Sequence, residues 1–263
     1  MGTRSSRGHD RRPAAGALLV SDWTTLPAGV IHALAGRRVP GRPAVVLVHG
    51  MVVSSRYMAP TAERLAPLCN VYAPDLPGYG KSYKPRPILR LPQLADALAT
   101  WMEAVHLDRA HLVANSFGCQ IVAEFAVRHA ARVRRLVLQG PTVDPAARTM
   151  RQQIWRSILN SPNEPKSLGW VSLKDYRAAG LRRAWMTFKL VLADRIEDKL
   201  PHIDAPAMVV RGERDPIVPQ QWAEEVARLL PRGELRVMPG VGHTINYAAP
   251  RQFVDLIRPF LRL

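Results

Sequence analysis

Apolar residues along this chain fall into short continuous runs that alternate with longer stretches in which they recur every three or four positions. The runs at residues 45–48 and 133–138 are typical of strands buried on both faces of a sheet. Between such runs, Leu94, Leu98 and Trp101 recur at helical spacing and predict one buried helix face. This alternation predicts an α/β fold with a mostly parallel, twisted sheet of about eight strands flanked by helices.

Two regions depart from this alternation. Residues 18–23 and 30–34 predict a pair of antiparallel strands joined by a turn at 27–29. Between about residues 141 and 201 the pattern is helical and aromatic, so we predict a helical insertion that divides the core. The predicted organisation is a disordered basic leader at 1–13, core at 14–140, helical insertion at 141–201 and core at 202–263.

A serine stands on the turn between a predicted strand at residues 110–113 and a predicted helix at 119–128. The turn has the sequence Ala114-Asn115-Ser116-Phe117-Gly118, with small residues two positions before and after the serine. Small neighbours allow a sharp backbone turn, on which the serine takes strained dihedral angles and projects its hydroxyl from the sheet. A serine before a helix is ordinarily an N-cap. In this setting we predict instead that Ser116 is a nucleophile.

Four further segments, in order along the chain, extend a resemblance over nearly the whole length from about residue 30. With the serine turn, they make the chain resemble the α/β-hydrolase superfamily, although the family usually has glycine where this chain has Ala114. The segments are His49-Gly50, Asp75-Leu76-Pro77-Gly78-Tyr79-Gly80-Lys81-Ser82, Gly212-Glu213-Arg214-Asp215-Pro216-Ile217-Val218-Pro219 and Gly240-Val241-Gly242-His243.

The resemblance implies a catalytic triad of Ser116, Asp215 and His243, in the chain order that this family uses. His243 would accept the serine proton, and Asp215 would hold the imidazole in the required tautomer. Asp144 is the alternative acid, because some relatives carry the acid after the sixth strand. His49, in the turn after a strand, is expected to be structural.

Two backbone N–H groups are implied as the oxyanion hole, which stabilises the negative charge of the tetrahedral intermediate. One belongs to Phe117, the residue after the nucleophile. The other belongs to Met51, with its neighbour Val52 as the alternative. This assignment follows from the position of the turn after His49-Gly50 in the family.

In the family, an insertion after the sixth strand is a cap that covers the active site and shapes specificity. Helical spacing predicts two apolar stripes in residues 141–201, and we expect most of their side chains to pack within the cap itself. Trp155, Trp185 and Phe188 are the candidates for lining the substrate pocket. The stripes consist of Met150, Ile154, Trp155 and Ile158, and of Leu181, Trp185, Phe188 and Leu192.

A serine nucleophile favours acyl chemistry, and cleavage of a carboxylic ester in a small to medium, largely apolar substrate is the first choice. A meta-cleavage-type carbon–carbon hydrolase and a thioesterase are the alternatives within enzymes. Outside enzymes, the alternatives are a ligand receptor that keeps the triad without rapid turnover and a basic scaffold that binds nucleic acid. No metal ligands stand at a recognisable spacing and no dinucleotide fingerprint is present, so neither a metal nor a cofactor is expected.

The chain has 263 residues and a formal net charge of +16. No apolar run approaches the roughly 20 residues that a membrane span requires, so no stable membrane anchor is expected. Two cysteines do not make a disulfide framework, and a cytoplasmic location fits them. We expect a small-molecule acyl substrate and no nucleic acid, because no nucleic-acid-binding motif accompanies the positive charge. The oligomeric state and the substrate stay open.

Overall fold

The computed structural model describes residues 18–263, in which an eight-stranded sheet is covered by helices on both faces. The predicted leader at residues 1–13 lies outside the described residues. The strands are β1 (Leu19–Leu26), β2 (Gly29–Gly36), β3 (Ala44–Val48), β4 (Asn70–Pro74), β5 (Ala110–Asn115), β6 (Val133–Gln139), β7 (Ala207–Gly212) and β8 (Gly233–Met238).

The strands lie in the spatial order β1-β2-β4-β3-β5-β6-β7-β8. β1 pairs antiparallel with β2, and β2 pairs antiparallel with β4. The remaining neighbours are all parallel, which confirms the predicted mostly parallel sheet. Because the carboxyl ends of parallel strands lie at one edge of the sheet, the loops that follow them meet there.

Helices connect the parallel strands, and none of those within residues 18–263 is both long and apolar enough to cross a membrane. Short 3-10 helices lie between several of the elements. The α-helices are α1 (Ser55–Leu65), α2 (Leu91–Ala104), α3 (Phe117–Arg128), α4 (Met150–Asn160), α5 (Lys166–Ala179), α6 (Leu181–Ala193), α7 (Gln220–Leu229), α8 (Ile245–Ala248) and α9 (Pro250–Leu261).

The central strands are buried on both faces, which explains their continuous apolar runs. In β3, Val45 and Leu47 point into one apolar layer, which α1 and α9 cover. Val46 and Val48 point into the opposite layer, which α2, α3 and α7 cover. The sheet therefore separates two apolar layers of the core.

Helices α4, α5 and α6, here called the cap helices, are inserted between β6 and β7. A buried carboxylate attaches them to the rest of the molecule. Asp175 on α5 accepts a hydrogen bond of 2.7 Å from the Ser54 hydroxyl and forms an ion pair with Arg56 on α1. Because a buried carboxylate without partners is costly, this contact favours one position of α5 over the sheet.

The apolar stripes of the cap helices are largely exposed to solvent. On α4, Ile154, Trp155 and Ile158 are 47%, 58% and 56% exposed, and on α6 Leu181 and Trp185 are 86% and 49% exposed. The prediction that these positions pack within the cap is therefore wrong. Helical spacing specifies which side chains share a face, but it does not specify what covers that face.

Candidate active site

Ser116 lies at the junction of β5 and α3, with φ of 54° and ψ of −121°. A positive φ is uncommon for a residue that carries a Cβ, so the backbone is strained here, as expected from the sequence. The Ser116 amide donates to the carbonyl of Gln139 on β6 at 2.9 Å. A Cβ on Gly118 would lie only 2.5 Å from the backbone oxygen of Val48 on β3. The absence of a side chain at position 118 thus allows α3 to start close to the sheet.

Asp215 and His243 form a buried pair in the loops after β7 and β8. Asp215 Oδ2 accepts a hydrogen bond of 2.7 Å from His243 Nδ1. The other carboxylate oxygen accepts from the amides of Ile217 and Val218, at 2.8 and 3.1 Å. Because Nδ1 donates to Asp215, the neutral ring has its lone pair on Nε2, where it can accept a proton.

Opposing influences act on the pKa of His243. Burial lowers this pKa, but the charge of Asp215 and its hydrogen bond raise it, and the charge of Glu164 raises it further. The outcome is a pKa above the ordinary value of 6.5. A histidine with such a pKa is a stronger base than a free imidazole, and it becomes available as a base only once the pH exceeds that value.

Side chains from other elements fix the main chain of His243. Its amide donates to Glu164 Oε1 at 2.9 Å and to Asn160 Oδ1 at 3.2 Å, both at the junction of α4 and α5. Its carbonyl accepts from Gln139 Nε2 at 2.6 Å. Burial raises the pKa of Glu164 above its ordinary value, despite the hydrogen bonds that lower it. The sequence did not predict these three contacts, because no motif marks the residues and they are distant from His243 along the chain.

Asp144, the alternative acid, lies in a different environment. Its Oδ2 is 2.7 Å from Arg156 Nη1, and its Oδ1 accepts from the Ala146 amide at 2.9 Å. Asp144 thus caps the short 3-10 helix Pro145–Ala147 and pairs with α4. The structure brings Asp215, and not Asp144, to His243.

Both ring nitrogens of His49 form hydrogen bonds with main-chain groups. Nε2 accepts from the Leu76 amide at 3.1 Å, so Nδ1 carries the proton and donates to the Gly50 carbonyl at 2.8 Å. Burial is the main influence on the pKa of His49 and lowers it. This imidazole connects the turn after β3 to the loop after β4, in agreement with a structural interpretation.

Backbone strain also marks the turn after β3. Val52 has a φ of 56°, which is rare for a β-branched residue. Its neighbour Met51 lines the same cavity as Phe117 and Ser116. Strained residues are therefore adjacent to both predicted oxyanion donors, since Val52 follows Met51 and Ser116 precedes Phe117. Strain of this kind persists only where the surroundings hold the backbone in place.

A cavity of about 510 Å³ lies between the sheet and the cap helices. Ser116 and His243 both line it, although no hydrogen bond joins their side chains in the described part of the chain. Such contacts often tighten only when substrate is bound. Its lining includes apolar side chains of α5 and α6, namely Leu168, Tyr176 and Phe188, and polar side chains of α4, namely Gln153, Ser157 and Asn160.

The three predicted pocket residues differ in their positions. Phe188 lines the cavity beside the predicted catalytic residues. Trp155 and Trp185 do not line it, and about half of each side chain is exposed on the outer side of the cap helices. Of the three candidates, the structure therefore places Phe188 on the cavity and the two tryptophans away from it.

The strand order, the serine turn and the Asp215–His243 pair agree with a match to a known family. A model described as the alpha/beta hydrolase family matches residues 45–256. The chain belongs to this family. The match extends from β3 to α9 and includes every predicted catalytic residue, so the resemblance inferred from short motifs is confirmed over most of the chain.

Individual relatives are similar over most of their length. The chain is 26% identical over 247 residues to the 2-hydroxy-6-oxo-2,4-heptadienoate hydrolase of Pseudomonas putida, covering 84% of this chain and 89% of the relative. It is 24% identical over 242 residues to the esterase YbfF of Escherichia coli, covering 82% and 92%. Its fold matches the 2-hydroxy-6-oxo-6-phenylhexa-2,4-dienoate hydrolase of Rhodococcus sp. strain RHA1 with a TM-score of 0.75, at 19% identity over 93% of this chain and 99% of that one. The relatives support a hydrolase and differ in the bond that their names imply.

Proposed function

We propose that this protein is a serine hydrolase that cleaves a carboxylic ester, or a related acyl bond, through an acyl-serine intermediate. The observation that carries the proposal is the arrangement of Ser116 and His243. A strained serine and a histidine paired with a buried carboxylate line the same cavity. A serine hydroxyl is a weak nucleophile at neutral pH unless a base within reach accepts its proton.

The proposed reaction uses each group in turn. His243 Nε2 accepts the Ser116 proton while Oγ attacks the carbonyl carbon, and the protonated ring then gives that proton to the leaving alcohol. Asp215 stabilises the imidazolium that forms between these steps. The amides of Met51 and Phe117 donate to the oxyanion, and loss of one such donor typically costs about 2.7–4 kcal/mol. Water attacks the acyl-serine by the same route and releases the acid.

The cavity supports a small to medium substrate with an apolar part and a polar part. Its volume of about 510 Å³ is in the usual range for small-molecule sites. Leu168 and Phe188 offer apolar contact, while Gln153 and Ser157 on α4 offer hydrogen bonds. We therefore propose that the acyl or alkyl chain lies against α5 and α6.

Carbon–carbon bond cleavage beside a carbonyl is the second candidate, because the relative from Pseudomonas putida is named as a dienoate hydrolase. In the turn after β3, this chain has His49-Gly50-Met51-Val52-Val53, whereas meta-cleavage hydrolases commonly have a glycine-rich turn. Incubation with a 2-hydroxy-6-oxo-dienoate, which loses its absorbance on cleavage, tests this candidate directly. Rapid cleavage together with inert p-nitrophenyl esters would replace the ester assignment.

Labelling with a fluorophosphonate probe, followed by peptide mapping, tests the primary proposal. The wild type should carry one adduct on Ser116 and hydrolyse p-nitrophenyl esters. Ser116→Ala should lose the adduct and lose turnover by about 10⁴-fold or more. Ser157→Ala is the matched control for labelling, because Ser157 lines the same cavity without standing on the strained turn, so this variant should keep the adduct on Ser116. An adduct at another serine, or undiminished turnover in Ser116→Ala, would contradict the proposal.

A further inference from the structure

The outer surface of the cap helices is unusually apolar for a part of the chain that faces solvent. Most of the large apolar side chains exposed within residues 18–263 lie on α4, α5 and α6. Leu181 and Trp170 are the most exposed of them, at 86% and 71%. A soluble protein ordinarily exposes large apolar side chains singly, whereas a concentration of them on one part of the surface marks a contact site. We call this surface, formed by Ile154, Trp155, Ile158, Trp170, Leu181 and Trp185, the cap apolar surface.

The cap apolar surface borders the opening of the cavity. Ser157 on α4 and Gly169 on α5 line the cavity and are themselves exposed, so the cavity opens between these helices. Ile158 and Trp170 are their immediate neighbours in sequence. On α6, Trp185 lies one turn from Phe188, which lines the cavity. Whatever contacts this surface therefore lies beside the opening.

The charges among these apolar residues are of one sign. Residues 150–193 contain eight Lys and Arg residues and two acidic residues. Asp175 is buried against α1, and Glu164 is directed to the loop of His243. The exposed charges of the cap helices are consequently all positive. One of them, Lys189, lies over the Trp185 ring at 5.2 Å, so basic and aromatic groups are interleaved.

Exposed tryptophans interleaved with Lys and Arg are typical of helices that lie in the interface of a bilayer. The indole rings enter the headgroup region, while the basic side chains remain in water and attract anionic headgroups. We propose that the cap apolar surface docks this protein reversibly on a bilayer that contains anionic lipid. The proposal goes beyond ester hydrolysis, and docking does not depend on that reaction. It requires no membrane-spanning helix.

Charge also argues against a second copy of the chain as the occupant. Two cap apolar surfaces placed face to face would bring their Lys and Arg residues together without intervening carboxylates. A nucleic acid would neutralise the positive charge, but its phosphate backbone provides no apolar contact for Leu181 or Ile158. An anionic bilayer provides both an apolar phase and negative charge at its surface.

Co-sedimentation with vesicles tests the proposal, using the full chain carrying Ser116→Ala so that catalysis cannot affect the result. This protein should bind vesicles of phosphatidylcholine and phosphatidylglycerol, and bind pure phosphatidylcholine vesicles at least tenfold more weakly. The double variant Trp170→Ala/Leu181→Ala should weaken binding to the mixed vesicles by about tenfold or more. Trp23→Ala is the matched control, because Trp23 is 53% exposed on β1, outside the cap helices.

A charge variant provides a second, independent measurement. Arg182→Glu on α6 should weaken binding to the mixed vesicles, whereas Arg251→Glu on α9 should leave it unchanged. Absence of binding to anionic vesicles at low salt would overturn the proposal. Equal losses in Trp23→Ala and Trp170→Ala/Leu181→Ala would also overturn it. The proposal would also be overturned if the protein did not bind vesicles but formed a dimer that required Trp170 and Leu181. Ester turnover by wild type, measured on a soluble substrate, tests the proposed function separately.

Discussion

His243 is held by contacts on its ring and on both sides of its main chain. Asp215 orients the ring, Glu164 accepts from the amide, and Gln139 donates to the carbonyl. A base that must return to one position after each proton transfer gains from such preorganisation, because little reorganisation is left for the reaction itself. The loop of His243 thus depends on a cap residue and on a residue of the sheet.

The acid of the proposed triad can be tested by two matched substitutions. We expect Asp215→Asn to lower kcat/KM by about 10⁴-fold, because an amide does not hold the imidazole in the tautomer that accepts a proton on Nε2. Asp144→Asn should leave kcat/KM within about threefold of wild type, since Asp144 pairs with Arg156 and does not contact His243. Steady-state ester hydrolysis checks both variants.

The pH profile adds a second readout to the same substitutions. In wild type, kcat/KM should rise with pH with a midpoint above 6.5, because the pKa of His243 is raised and only the neutral ring accepts a proton. In Asp215→Asn the residual activity should have a lower midpoint, because burial still lowers the pKa while the carboxylate charge that raises it is gone. A deeper loss in Asp144→Asn, or an unchanged midpoint, would contradict the assignment.

The sequence predicted the catalytic candidates but not the residues that position them. Ser116 and His243 each stand beside small residues in short motifs, so their places could be read from neighbours in sequence. Glu164 and Gln139 have no such neighbours. Their roles arise only when the junction of α4 and α5, the end of β6 and the loop after β8 come together in space.

At the scale of elements, the approach of α3 to β3 sets the position of the serine turn. A Cβ on Gly118 would meet the backbone oxygens of Val48 and His49 at 2.5 and 2.8 Å. Backbone atoms of a central strand cannot move aside as a flexible side chain can. Gly169, in the cap helix α5, differs in this respect, because a Cβ there would have no neighbour within 4 Å.

Gly118→Ala and Gly169→Ala are therefore a matched pair with opposite expected signs. We expect Gly118→Ala to lower the free energy of unfolding by about 1–3 kcal/mol, as overpacking does, and to reduce kcat by displacing Ser116. Gly169→Ala should raise the free energy of unfolding by about 0.5–1 kcal/mol, because alanine is the better helix former. Urea unfolding at equilibrium measures both. A stable, fully active Gly118→Ala variant would show that α3 tolerates a wider separation from β3.

Elements of the sheet were easier to predict than the surroundings of the cap helices. The runs at 45–48 and 133–138 correspond to β3 and β6, because a strand buried on both faces must be apolar at every position. The stripe of Ile154 and Ile158 is an equally clear helical pattern, yet its face is open to solvent. The spacing of apolar residues predicts that a segment is helical, whereas burial of its apolar face depends on which other elements pack against it.

At the scale of the whole molecule, the net charge of +16 is unevenly placed. Arg42, Arg109, Arg134, Arg135 and Arg262 line a cavity of about 630 Å³ at the edge of the sheet where β3, β5 and β6 begin. Burial, together with Arg134, Arg135 and Arg109, lowers the pKa of the nearby His111 to about 4. None of the five arginines forms an ion pair within residues 18–263, so their mutual repulsion should oppose folding.

Relieving that repulsion should stabilise the protein, and the effect should depend on salt. Arg134→Gln removes a charge that makes no ion pair in the described residues, so we expect Tm to rise by about 1–2 °C at low salt. The gain should shrink from about 0.01 M to about 0.1 M NaCl, as the Debye length falls from about 30 Å to about 10 Å. Arg228→Gln is the control, because Arg228 lies 2.7 Å from Glu225 and its removal should not raise Tm. A lower Tm in Arg134→Gln, or a gain independent of salt, would mean that the arginines at this edge do not repel one another enough to affect folding.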